Sequence, residues 1–177
     1  MYRDIMKNME VLMKTCLADL QAVLDAFITQ RGFALGECRT SRPNQFNGEM
    51  DVFYSFPMLG PEFKCAIYQW TDGAELAPYV CISIHLGDLS TAKNKFGLLL
   101  SMAETNSAIY DPLKISILGG EVTLCLRSRC DHMSSTYIKE LLPTMIQFSE
   151  SYLQLAANQF GLVPKLESEG LGKRAPH

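Results

Sequence analysis

The stretch Tyr79-Val80-Cys81-Ile82-Ser83-Ile84-His85-Leu86 alternates without a break. Successive side chains of a strand point to opposite faces, so Val80, Ile82, Ile84 and Leu86 share one face and Cys81, Ser83 and His85 the other. One set is wholly aliphatic and the other is mixed. That contrast predicts an antiparallel sheet packed on a single side. Gly87-Asp88-Leu89-Ser90 then ends the strand and offers an Asp or Ser helix cap.

Working upstream, Met50, Val52, Tyr54 and Phe56 alternate with Asp51, Phe53 and Ser55 up to Pro57, and residues 63–70 form a second run of the same kind. Thr71-Asp72-Gly73 leads from it toward the stretch above. Residues 33–40 read as a short strand, and Ser41 to Gly48 as a turn-rich connection ending in an Asn-Gly pair that tolerates positive φ. Before these strands, Ile5, Met9, Leu12, Met13, Cys16, Leu20, Val23, Leu24 and Phe27 recur every three or four residues. This predicts a helix over 4–31, stopped by Arg31-Gly32.

Downstream, residues 91–108 place Phe96, Leu99, Leu100 and Ala103 on one helical face, and Asp111-Pro112 ends that helix. Leu113, Ile115 and Ile117 alternate before Gly119-Gly120, and Val122, Leu124 and Leu126 after it, which predicts a hairpin. Ser134 caps the last helix, with Met133 placed to staple against Ile138. Its stripe continues through Leu141, Leu142, Met145, Tyr152, Ala156 and Phe160, and Pro143 predicts a kink or two shorter helices. The expected fold is α+β, one antiparallel sheet with helices mainly on one face, in the order α-β-β-β-β-α-β-β-α. Residues 1–164 form one domain, and the glycine-rich, polar residues 165–177 a flexible tail.

Of the 177 residues 47% are hydrophobic and 20% charged, which is globular composition. The formal charge of −3 lacks the basic excess that phosphate contacts need, so nucleic acid is not an expected partner. No uninterrupted apolar stretch suits a membrane span or secretory leader, and the expected location is the cytosol. The six cysteines, irregularly spaced and several within strands, are expected to stay reduced.

No set of residues spells out catalysis. Cys125, Cys130 and His132 match no zinc spacing and read as a buried Cys125 beside an exposed loop Cys130. Cys81 and His85 share a strand face but lie four residues apart, about 13 Å at ~3.3 Å per residue, so the strand alone cannot pair them. Glu49 and Asp51 read as a solvated strand face, and Gly119-Gly120 as a hairpin turn rather than a phosphate cradle. No metal or cofactor is expected. What remains is a surface. Phe53, Tyr68, Trp70, Cys81, His85 and Cys125 fall opposite the aliphatic set, too apolar for a wetted face and too polar for a core. Phe53, Tyr68, Trp70 and His85 are candidate peptide contacts unless a helix wraps over them, and Phe96, Leu99 and Leu100 are candidate dimer contacts or monomer core.

The order of elements resembles that of the class I type III secretion chaperones, including the Tir-chaperone family, and of the related bacterial YbjN-like domains. The likeness spans residues 4–160. It rests on Gln30-Arg31-Gly32-Phe33 closing the first helix, Phe96-Gly97-Leu98-Leu99-Leu100 leading to Glu104-Thr105-Asn106 in the second, the 113–127 hairpin and the Ser134 cap. An extra strand before the central helix and Pro143 depart from that layout. The resemblance implies a cytosolic homodimer that holds an extended segment of a secreted protein without nucleotide or catalysis. A YbjN-like adaptor binding a folded partner is the alternative, and a thiol-dependent enzyme built from Cys125, Cys130, His132 or His85 a lesser one.

Overall fold

A computed structural model describes residues 17–57, 61–72, 75–109 and 112–164. Six strands form one antiparallel sheet in the order β1-β2-β3-β4-β6-β5, with β1 Arg39–Pro43, β2 Met50–Pro57, β3 Glu62–Asp72, β4 Glu75–Asp88, β5 Leu113–Leu118 and β6 Glu121–Arg129. Four helices accompany it: α1 over residues 17–30, the single turn α2 Leu35–Cys38, α3 Lys95–Ala108 and α4 Ser135–Phe160. The chain is α+β, as the alternation of strands and helical stripes predicts.

The packed face follows from strand parity. Val52, Tyr54 and Phe56 of β2, Phe63, Cys65 and Ile67 of β3, and Val80, Ile82, Ile84 and Leu86 of β4 are all buried, with Val122, Leu124 and Leu126 of β6 completing the layer. Against it α1 sets Leu20, Leu24 and Ile28, fully buried at intervals of four, and α4 sets Ile138, Leu142, Met145 and Tyr152. Phe56 stacks on Phe63 at 4.7 Å, Phe33 lies 5.1 Å from Phe56, and Phe27 of α1 sits over both strand rings. Asp25 ties the same helix to the sheet edge. It accepts from the Tyr54 hydroxyl at 2.8 Å and from Arg39 Nη1 at 2.7 Å. Burial and the Asp25 contact push the Tyr54 hydroxyl well above the ordinary tyrosine range.

Several local expectations are corrected. Residues 33–40 do not form a strand: Leu35–Cys38 is a helical turn, and the edge strand starts at Arg39 and runs into the segment expected to be a turn. An edge strand tolerates Pro43 at its end, where a missing N–H breaks no interior ladder. The central helix starts later, because Asp88 caps a 3-10 turn at Leu89–Thr91 by accepting from Ser90 N, and Asn94 caps α3 by accepting from Gly97 N at 2.9 Å. Pro143 neither ends nor divides α4. It lies on the solvent side while buried Leu142, Met145 and Ile146 hold the packed side together. The hairpin is as expected, with Gly119 and Gly120 both at positive φ, and Ser134 Oγ accepts from Tyr137 N. The expected tail, residues 165–177, and the part of the first helix before residue 17 lie outside the described residues.

The chain after α4 turns at Gly161, which has left-handed backbone, and docks on β4. Pro164 bridges to Gly87, and Val163 N donates to Thr91 Oγ1 at 3.0 Å. Gly87 sits at the irregularity where β4 changes register against β6, and a Cβ there would lie 2.4 Å from the Val163 carbonyl oxygen. Gly87→Ala therefore lowers stability by ~1–3 kcal/mol through overpacking. Gly36→Ala, in open space on α2, does not. Paired thermal melts check this, and equal melting temperatures would contradict it.

Candidate functional site

The opposite sheet face is built by the same parity. Cross-strand register aligns Thr40, Phe53, Ala66, Cys81 and Arg127 in one row over β1, β2, β3, β4 and β6, with Tyr68 opposite Tyr79 in the next. Among the described residues α1, α3 and α4 contribute their buried side chains to the other face, and the single turn α2 borders this one through Glu37 and Cys38. Ala66 and Cys81 are small, and the residues around them are large. The result is a trough formed by two connected hollows of about 360 Å³ and 600 Å³ that share Phe53, Ala66 and Cys81. Both volumes suit a small ligand or a few side chains of a peptide.

Aromatic rings and Arg42 line the walls, and Arg127 of β6 stands beside them. Tyr68 and Tyr79 stack at 6.1 Å, and the Arg127 guanidinium lies 5.2 Å from the Tyr79 ring centre and 6.0 Å from those of Tyr68 and Trp70. Arg42 lies 4.3 Å over Phe53. At the outer end Phe46 meets Trp70 edge to face at 6.3 Å, with Phe46 48% and Trp70 45% exposed. Burial raises the Tyr68 hydroxyl above its ordinary value, and Arg127 works against that shift.

Asp51 fixes the outer wall, and its burial corrects the expectation of a solvated Glu49 and Asp51 face. Its carboxylate accepts from Asn44 Nδ2 at 3.1 and 2.9 Å and from Gln69 N at 2.9 Å, while Asn44 Oδ1 accepts from Phe46 N at 2.8 Å. A buried carboxylate is tolerated only when so satisfied, and here its bonds hold the loop that presents Phe46. Glu49 does face solvent, bonded by Gln69 Nε2 and Asn47 Nδ2.

Of the candidate peptide contacts, Phe53, Tyr68 and Trp70 meet at the trough. His85 does not. It lies farther along β4, its Nδ1 bonded to Glu121 Oε2. Sequence reading missed Arg42 and Phe46 as wall residues, and Tyr79 and Arg127 as the groups beside them. Continuing the alternation of β6 beyond Leu126 would have put Arg127 on this face, but nothing in the sequence shows that the loop bends Phe46 back onto Trp70. Phe96, Leu99 and Leu100 are 79%, 41% and 52% exposed, so they are not monomer core. Leu98 and Met102 form the buried side of α3 instead.

The thiols are arranged opposite to expectation at the hairpin end. Cys130 is buried, in a 3-10 turn, and Cys125 is the half-buried one, its Sγ 3.5 Å from Ser116 Oγ. No group of three His, Cys, Asp or Glu side chains able to hold a metal occurs among the described residues. Nor is any of the described helices long and apolar enough to cross a membrane. At the trough floor burial pushes the Cys81 thiol up, Cys125 adds to the rise, and Arg127 opposes it.

A raised thiol value means less thiolate at neutral pH than in a free cysteine. Cys81 is therefore expected to alkylate more slowly than a free cysteine at pH 7, gaining rate only as pH passes beyond the ordinary thiol range. Peptide mapping after timed iodoacetamide treatment checks this, and a rapid, selective burst at Cys81 at pH 7 would contradict it. Comparison of the chain with protein-family models and with curated proteins finds no match.

Proposed function

We propose that this protein is a noncatalytic binding domain that holds a segment of another protein, acting as a cytosolic chaperone or escort for a secreted bacterial protein. One observation carries the reading: a sheet with helices on one face displays an aromatic trough on the other. Aromatic side chains bring large contact area at small entropic cost, which is why Trp, Tyr and Arg dominate binding hot spots. Phe53, Tyr68 and Trp70 supply that area here, and β1, nearly all of whose side chains are exposed, offers an adjacent strand edge for pairing with an extended chain. The order of elements resembles the type III secretion chaperone layout apart from the extra strand before α3, and that resemblance implies the holding of such an extended segment.

A homodimer through α3 belongs to the same reading. Phe96, Leu99 and Leu100 form an outward apolar stripe on a helix whose inner side is already packed, and an exposed stripe of this kind favours burial in a second copy. Light scattering should give twice the chain mass for the native protein, and Phe96→Glu with Leu100→Glu should return it to one. A native monomer at micromolar concentration would remove the dimer.

The binding reading is tested with tagged protein recovered from its own host together with what it carries. Trp70→Glu and Tyr68→Glu should each weaken the recovered partner by about 2 kcal/mol, roughly 30-fold, with the circular dichroism spectrum unchanged. Limited proteolysis should show the bound segment protected in an otherwise degradable chain. Unchanged affinity in both variants would overturn the trough as the binding surface, and protection of a whole folded partner would favour the YbjN-like adaptor.

A further inference from the structure

We propose that the trough selects an acidic extended segment, with carboxylates set against Arg42 and Arg127 and an aromatic or proline side chain seated on the Ala66 and Cys81 floor. This rests on the reading of the open face as a peptide site and names the chemistry of its occupant. The chain carries a formal charge of −3, yet its open face holds two exposed guanidinium groups that have no carboxylate partner among the described residues. Most neighbouring charges are engaged, and the exception, Glu37, stands at the α2 end of the trough, away from the Arg42 wall. Lys64 pairs with Glu62 at 3.0 Å, Arg129 with Asp131 at 2.9 Å, and His85 with Glu121. Asp51 faces Arg42 across β1 and β2, but both its oxygens are taken by Asn44 and Gln69.

The aromatic rings alone would suit a cationic ligand, and the arginines exclude that. The faces of Phe53, Tyr68, Trp70 and Tyr79 already carry the protein's own guanidinium groups, so an incoming ammonium or guanidinium would meet like charge. A planar carboxylate meets two donors of fitting geometry instead. Two arginines are also too few to neutralise a phosphodiester tract, which favours a peptide over a nucleic acid. Four inter-strand steps separate β1 from β6. At ~4.8 Å each the open face from Arg42 to Arg127 spans about 19 Å, the length of roughly six extended residues.

The test is an array of random peptides of about ten residues, probed with tagged full-length protein and read for composition. Bound peptides should be enriched at least tenfold in those that combine two or more Asp or Glu with an aromatic residue or proline. For one such peptide, titration followed by Trp70 emission should show at least tenfold weakening on replacing its acids by amides, on Arg127→Gln, on Arg42→Gln, and in roughly 1 M salt, where the screening length is about 3 Å. The amide exchange needs no altered protein, so a variant that misfolds does not decide the outcome. Enrichment of neutral or basic peptides, or affinity indifferent to the amide exchange, would overturn the acidic assignment and leave the peptide-binding reading in place. Displacement of the peptide by a single-stranded oligonucleotide at lower concentration would overturn it in favour of nucleic acid. An array with no enriched peptide would overturn both.

Discussion

Strand β4 lies inside the sheet, paired to β3 on one side and β6 on the other, and the phase of its alternation governs both faces at once. Val80, Ile82, Ile84 and Leu86 are fully buried. Each contributes ~1.5–3 kcal/mol relative to exposure, so a slip of one residue, which would turn all four to solvent, is strongly disfavoured. The same constraint sends Tyr79, Cys81, Ser83 and His85 to the other side. The site is thus the complement of the core: what the helices do not need is what the open face displays.

The trough takes its form from size differences within that complement. Ala66 and Cys81, adjacent across β3 and β4, leave a depression that Phe53, Tyr68 and Trp70 surround. One polar knot holds the outer wall, and another secures the packed face behind it. Asp25 joins α1 to Tyr54 and Arg39 at the edge, and Asp51 joins the loop at Asn44 to the backbone of Gln69. Removing one partner from the buried Asp51 knot costs more than the bond itself contributes, because the other is left unsatisfied. These knots make the surface a preformed one, which lowers the ordering cost of binding.

The parts of this arrangement that were legible in the sequence are those set by period and by strong caps. The alternation of Met50 to Phe56, Phe63 to Trp70 and Tyr79 to Leu86, the Gly119-Gly120 turn and the Ser134 cap each depend on residues within a few positions of one another. Tertiary contacts decided the rest. Cys38 is buried by a helical turn where a short strand was expected, Asp51 is withdrawn from water by Asn44, which lies seven residues away, and packing continues α4 past Pro143 as one helix. Parity placed Phe53, Tyr68 and Trp70 on one face, but it could not show that Arg127 and Phe46 would close around them. Nor could it tell Cys125 from Cys130, since the 3-10 turn after β6 reverses which thiol faces the core.

Trp70 is the chain's single tryptophan, so its emission reports on the trough without interference. Acrylamide quenching of the full-length, partner-free protein asks directly whether the open face is uncovered. The account predicts red-shifted emission and efficient quenching, as suits a ring 45% exposed. Blue-shifted emission that resists the quencher would show that the face is covered in the free protein, and would contradict it.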